Sequence, residues 1–430
     1  MKDIAAYAVE ALLKAGADKA ACSASQARKD EFNVEENKFT LLRTLFDDRL
    51  HLKAIIGGRK GEAVVNKHDR ESIDKAVADC AALAAASQPD DAEDIAPKEE
   101  CKDFDQRIGG ADMAKLFSRS KEFLEQVGDE FPKIKLGSMT AEFNSGQSAY
   151  LNSNGAAFAT DGEHYGFGTM FTAKDGEKSS SFNGYGAALA NLDAAFMDLD
   201  MHRALLGESV RALDARALEG KFVGKVIVTP ACEDMIWHTI IDCFLSTVPM
   251  IEGTSRWKDA LGTQVADAKL TFRAAPLDPR MICAERFTRD GFESRDFDFI
   301  KDGILKSFAL PLYAANKTGK PRAANTAFGC IEVAAGDAAL EEMIKGVDRG
   351  VLLNRFSGAQ PSPSGEMSGV AKNSFLIENG KVTDALSETM VSFNIADAIK
   401  SIPAISRERV ANGGSVLPWV CLDGITVSGK

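Results

Sequence analysis

The sequence predicts an α+β protein of several domains, with mixed and antiparallel sheets, flanking helices and a largely β C-terminal part. Three observations lead there. A chain of 430 residues has room for two or three domains at roughly 150 residues each. Its 45% hydrophobic and 27% charged residues give an ordinary globular balance with enough apolar material for sizeable cores. Helix-spaced and strand-alternating segments follow one another in three units, expected at 1–100, 105–218 and 221–430.

The first unit opens with a helix. Asp3 is placed to cap it, Ile4, Tyr7, Ala8, Ala11 and Leu12 form its apolar face, and Gly16 ends it. Alternating stretches at Ala20–Val34, Phe39–Phe46, Leu50–Ile56 and Gly61–Val65 read as strands, with Gly57-Gly58 turning between the last two. Asp69 starts a second helix carrying Ile73, Val77 and Cys80. The acidic, proline-bearing run from Pro89 to Asp103 lacks periodicity and reads as a linker. The second unit repeats the pattern. A helix spans Ala111–Val127, and strands follow at Ile134–Phe143, Ser148–Leu151, Ala156–Thr160 and Phe167–Ala173. Residues Tyr165–Tyr185, rich in Gly, Ser and aromatics, suggest a surface hairpin, and a helix over Asp198–Ala217 closes the unit.

The third unit begins with a strand, Val223–Val228. Thr229-Pro230 is then a favourable helix start, with Pro at the first helical position. The helix running to Leu245 is apolar nearly all round and should be buried. Further on, Gly350–Asp384 combines an apolar run, a long Gly/Ser/Pro loop from Ser357 to Gly369, and Ser374–Glu378 followed by Asn379-Gly380, the signature of a tight hairpin turn. Loops of that length are functional or disordered; Pro361 and Pro363 stiffen this one, which favours an ordered binding loop.

Composition excludes several classes. A net charge of −12 without a basic stripe argues against direct nucleic-acid binding. Met1-Lys2-Asp3-Ile4-Ala5, with an early acid and no apolar run, is not expected to act as a signal peptide, and no window approaches the ~18 apolar residues that span a bilayer. Eight scattered cysteines without a C-x-x-C pair read as reduced thiols, so a cytoplasmic location is expected.

Motifs for chemistry are sparse. Of the five histidines, only His238 sits on a buried helix, with Asp242 one turn on. That pair can form a metal edge or a single charge-assisted hydrogen bond. Ser118-Arg119-Ser120-Lys121 and Lys317-Thr318-Gly319 match fragments of serine acyl-transfer motifs, but the S-D-N element is missing and Ser118 lies within an amphipathic helix. Phosphate-loop and dinucleotide fingerprints are absent. Cys243, Cys330 and Cys421 read as small core residues.

The third unit also carries Leu261-Gly262-Thr263-Gln264-Val265, Phe299-Ile300-Lys301-Asp302-Gly303-Ile304-Leu305, Gly350-Val351-Leu352-Leu353, Ser374-Phe375-Leu376-Ile377-Glu378-Asn379-Gly380 and Gly413-Gly414-Ser415-Val416, in that order. This resembles the TldD/TldE (PmbA) family, labelled in places as modulators of DNA gyrase. The resemblance implies a metallopeptidase complex that trims unfolded or extended peptides, including precursor peptides. TldD-type chains of that family carry zinc on an H-E-x-x-x-H helix plus a later cysteine; TldE-type chains lack those ligands and pair with a TldD chain. On the matching helix, Glu233–Leu245, the motif falls on Trp237-His238-Thr239-Ile240-Ile241-Asp242, so Trp237 and Asp242 replace the two histidines and His238 the glutamate. A shift by one leaves Thr239 as base and Cys243 as last ligand. The resemblance therefore implies a TldE-like chain with no catalytic residue or cofactor of its own, and zinc in a TldD-type partner. A peptide cleft is expected at Ser357, Gly358, Ser364, Gly365, Ser368, Gly369, Phe375 and Ile377, with substrate pairing along a strand edge at Phe375–Glu378. The alternatives are a stand-alone peptide-binding homodimer, or a divergent metal hydrolase using His238, Asp242 and a further ligand such as Cys421.

Overall fold

The computed structural model describes residues 1–325, 329–358 and 360–430. Local capping rules explain the first helices. Asp69 accepts a hydrogen bond from the Ser72 amide (2.9 Å) and Asp112 one from Lys115 (2.8 Å), which start helices α2 (Arg70–Ala86) and α3 (Met113–Glu130). Helix α1 (Lys2–Lys14) departs from expectation: Asp3 sits inside its first turn and caps nothing, so it acts only through its charge at the positive end of the helix.

Strands β1 (Lys19–Glu35), β2 (Lys38–Ile56), β3 (Arg59–Val65), β4 (Lys102–Gln106), β5 (Ile134–Asn152) and β6 (Ala157–Asp175) form one sheet in the order β3-β2-β1-β5-β6-β4. This sheet runs through both N-terminal units. β1 pairs with β2 on one side and with β5 on the other along most of its length. The expected linker supplies β4, which adds parallel to β6. Several pairs of expected strands are single long strands. The polar stretches that read as breaks are open to water, Asp47-Asp48 where β2 has a strand neighbour on one side only and Asn144–Gln147 and Asp161–His164 where they line grooves, so alternation fades while the ladder continues. Helices α1 and α2 cover one end of a sheet face through Ala20, Cys22, Ala24, Leu50 and Leu52. Helix α3 and the His202–Arg211 helix cover the other end through Val34, Phe123, Met139 and Phe167. The latter helix is shorter than the predicted Asp198–Ala217, because 3-10 turns replace its first and last segments.

The C-terminal domain is built on a second, mixed sheet. Its centre is the Lys221–Val228 strand, parallel to Arg349–Leu353 and antiparallel to the last strand, Ser415–Ser428. On one face lies the Pro230–Ile240 helix, whose Ile236, Trp237 and Ile240 pack on Val226, Val228, Val420 and Leu422. The other face carries Ile227, Leu352, Phe375, Ile377 and Cys421 against Met343 and Val347. The hairpin predicted at Asn379-Gly380 is present, with both residues at positive φ (50° and 71°).

Three segments knit the domains together. Asp90 accepts hydrogen bonds from Lys317 (2.8 Å) and Tyr313 (3.1 Å), and Lys102 pairs with Glu293 (2.8 Å). Asn354 of the C-terminal domain donates to Glu208 of the middle unit (2.7 Å). Burial pushes the Glu208 carboxyl up to about 7, against the smaller opposing pull of Arg211 and this hydrogen bond. A carboxyl raised in the folded state stabilises most when protonated. Its contribution is complete below the unfolded value of 4.5 and is lost as pH rises through about 7. The Glu208→Gln variant should lack this part of the pH dependence. Its unfolding free energy, from urea denaturation, should fall less than that of the wild type between about pH 5 and pH 8, by an amount on the order of 1–3 kcal/mol.

Candidate functional site

The strongest candidate is a cleft of about 370 Å³ between the middle unit and the C-terminal domain. One wall is the Asn183–Leu189 strand, which pairs with β6 on one side only. The other wall is the first two turns of the Pro230–Ile240 helix and the Asn412–Ser415 turn. The backbone sets their spacing. The Ala188 amide donates to the Asn412 carbonyl (2.8 Å), and the Ile282 amide donates to Gly413 (2.8 Å). A Cβ on Gly413 would meet the Ala188 carbonyl oxygen at 2.2 Å, and Gly413 adopts φ +85°, so only glycine fits. The Asn412 side chain accepts hydrogen bonds from the Gly414 amide (3.0 Å) and the Ser415 amide (2.8 Å), locking the turn. The Gly413-to-Val416 segment is thus the hinge plate of the cleft.

Asp234 and His238 project from the helix into this space. His238 Nε2 lies 3.4 Å from Asp234 Oδ1, one turn earlier on the helix. The hydrogen bond to Asp234 raises the imidazole above its ordinary value, partly opposed by burial. Asp242, the expected partner, contributes only through its field. The helix widens into a π-type turn over Ile241–Leu245, which moves Asp242 off the i+4 position facing His238. Trp237 is buried, and its indole nitrogen donates to Glu233 Oε2 (2.9 Å). Glu233 is fully buried with Oε1 unpartnered, and burial holds its carboxyl well above the usual range. Cys421 faces the opposite side of the sheet from this helix, so the predicted grouping of His238, Asp242 and Cys421 does not form. Among the described residues, no three His, Cys, Asp or Glu side chains converge as a metal cage.

The residues expected to line a peptide cleft are dispersed. Phe375 and Ile377 are corrected: both are fully buried, and their strand is paired on both sides, to Arg349–Leu353 and to Lys381–Ser387, so it offers no edge. The expected loop is also shorter. Ser357 ends a strand, and Ser368 and Gly369 lie in the Glu366–Lys372 strand, which pairs with Thr389–Asn394. Ser368 shares a hydrogen bond with Ser392 (2.7 Å). Gly358 and Ser364 are exposed in the remaining turn, Gly365 is wedged against Phe244, and residue 359 lies outside the described residues. None of them lines the cleft. The residues missed, Tyr185, Asp234 and Asn412, had one legible signal: the i,i+4 spacing of Asp234 and His238 on a predicted helix.

Residues 220–429 match the family model of the PmbA/TldA metallopeptidase C-terminal domain. Metalloprotease PmbA of Escherichia coli O157:H7 is 27% identical over 175 residues, 39% of this chain and 38% of that protein. Residues 220–429 belong to the PmbA/TldD family. A PmbA homologue of Haemophilus influenzae is 21% identical over 100% of this chain and 96% of its own length. TldE of Thermococcus kodakarensis shares the fold, with a TM-score of 0.85 at 17% identity over 99% of each chain. Within the PmbA/TldD frame, the cleft lies where the family model's domain meets the preceding unit.

Replacing Asp234 with Asn removes the charge that raises the His238 imidazole above its ordinary value. Proton NMR titration should find the His238 imidazole titrating at lower pH in Asp234→Asn than in the wild type. An unchanged titration would mean that Asp234 does not set it.

Proposed function

We propose that this chain is the TldE-like subunit of a TldD/TldE-type metallopeptidase complex that degrades or matures unfolded, extended peptides. In this reading it holds no zinc itself and shapes the peptide cleft, while a TldD-type partner brings zinc and base. The observation that carries the reading is the fate of the motif positions. At Trp237 the side chain has no free metal donor, since its N–H is committed to Glu233. His238 is committed to Asp234, and Asp242 stands apart on the π-type turn. These residues do not fit a zinc ion with its tetrahedral N/O/S ligand set.

The peptide role draws support from the cleft wall. The outer edge of the Gly184–Gly186 segment has no neighbouring strand among the described residues, and although the Gly184 amide donates to Asn183 Oδ1 (3.0 Å), the rest of the edge can pair with an extended chain. Substrate would lie along this edge, a correction to pairing at Phe375–Glu378, with Asp234 and His238 facing it.

Elemental analysis of the purified chain, zinc-loaded and then dialysed, tests the proposal. Near-zero zinc is expected. About one zinc per chain, as a single catalytic site holds, would overturn it.

A further inference from the structure

A second cavity, of about 310 Å³, lies where the first sheet faces the C-terminal domain. Strand register sets its floor. Ser23 of β1 lies opposite His51 of β2 and Tyr150 of β5, and Ala21 lies opposite Lys53, so these side chains share one sheet face. Helices α1 and α2 pack on the other face through Ala20, Cys22 and Ala24. The roof is Arg289, Asp290 and Pro311 of the C-terminal domain, and Asp94 joins the wall. Gly291 lets the roof come down onto the floor. It adopts φ +93°, and a Cβ there would lie 2.3 Å from the Tyr150 ring. The volume is at the lower end for small-molecule sites, which run roughly 300–1,000 Å³.

Both signs of charge line this space, Lys53 and Arg289 against Glu62, Asp94 and Asp290. Asp94 is answered by Lys19 (2.6 Å). Lys53 donates to Glu93 (2.8 Å) and to the Asp94 carbonyl (3.0 Å), which leaves over one of the three N–H donors of its ammonium. Asp290 is only half answered. Its Oδ2 accepts from the Leu312 amide (2.7 Å), while its Oδ1 is buried with no partner among the described residues. Beside it the buried Tyr150 hydroxyl makes only long contacts, 3.5 Å to the Asp290 carbonyl and 3.4 Å to Asn152. A buried carboxylate oxygen without a donor is costly, so the cavity has a place for one. Burial also holds the His51 imidazole below its ordinary value, against the pull of Glu62, so at neutral pH it is an uncharged polar group on the floor. We infer that the cavity binds a small zwitterion of the amino-acid or dipeptide class, its ammonium donating to Asp290 Oδ1 and its carboxylate met by Lys53 and Arg289. A metal ion fits less well, because no three His, Cys, Asp or Glu side chains converge among the described residues. Floor and roof belong to different domains, so the ligand would also hold the two together. The inference does not depend on the peptide cleft, which shares no residue with this cavity.

Isothermal titration calorimetry with the dipeptide L-alanyl-L-alanine tests it, and saturable binding is expected. Its N-acetyl derivative lacks the ammonium and its C-terminal amide lacks the carboxylate, so each should bind the wild type about tenfold more weakly. Asp290→Asn keeps an oxygen for the Leu312 amide, and should weaken the dipeptide to a similar degree with an unchanged circular dichroism spectrum. Ser23→Met fills the cavity and should abolish binding, whereas Asp234→Asn, in the cleft, should bind as the wild type does. No saturable heat with the dipeptide would overturn the inference, and so would equal binding of the N-acetyl derivative. Binding that survives Asp290→Asn and Ser23→Met but is lost in Asp234→Asn would overturn it as well, since the dipeptide would then lie in the cleft.

Discussion

The backbone bridge between Ala188 and Asn412 is the constraint on which the architecture turns. It ties the last strand of the first sheet to the turn that opens the last strand of the second, and Gly413 lets the two backbones approach within contact distance. Neither side chain contributes to the bond. The seam depends on one position having no Cβ at all, which explains why a short Gly-Gly-Ser segment far from any catalytic motif is embedded in the functional part of the fold.

From this seam the cleft follows. With the Asn183–Leu189 strand held against the Asn412–Ser415 turn, the start of the Pro230–Ile240 helix faces that strand across a cleft of about 370 Å³. The helix is anchored from behind by Trp237 and Glu233, a buried indole–carboxyl pair. Asp234 and His238 form an ionisable pair that lines the cleft. An acid–imidazole pair of this kind can hold a proton or orient a peptide group. The domain ties at Asp90, Lys102 and Glu208 lie away from the cleft and fix the domains' relative placement without occupying it.

Much of this was legible in the sequence, and the division is physical. Features set by neighbours in the chain were readable: the Asp69 and Asp112 caps, the Asn379-Gly380 turn, the Pro230 helix start and the α+β order of units. Features set by distant partners were not. Phe375–Glu378 reads as a strand before a tight turn, but residue types do not say whether it is an edge; the two flanking strands decide that both sides are paired. The Ser357–Gly369 segment reads as a loop because Gly, Ser and Pro dominate it, while cross-strand pairing with Thr389–Asn394 makes its last four residues, Glu366–Gly369, part of a strand. The site itself was half visible: His238 could be singled out, but its pairing with Asp234 and away from Asp242 depends on a local widening of the helix that residue types do not announce.

The central claim is that the cleft between the middle unit and the C-terminal domain receives an extended peptide along the Gly184–Gly186 edge. Amide hydrogen exchange, measured with and without a saturating unfolded polypeptide such as reduced and carboxymethylated casein, tests it most directly. The account predicts slowed exchange confined to residues 184–186, the start of the Pro230–Ile240 helix and the Asn412–Ser415 turn. Protection elsewhere, with these segments unchanged, would contradict it.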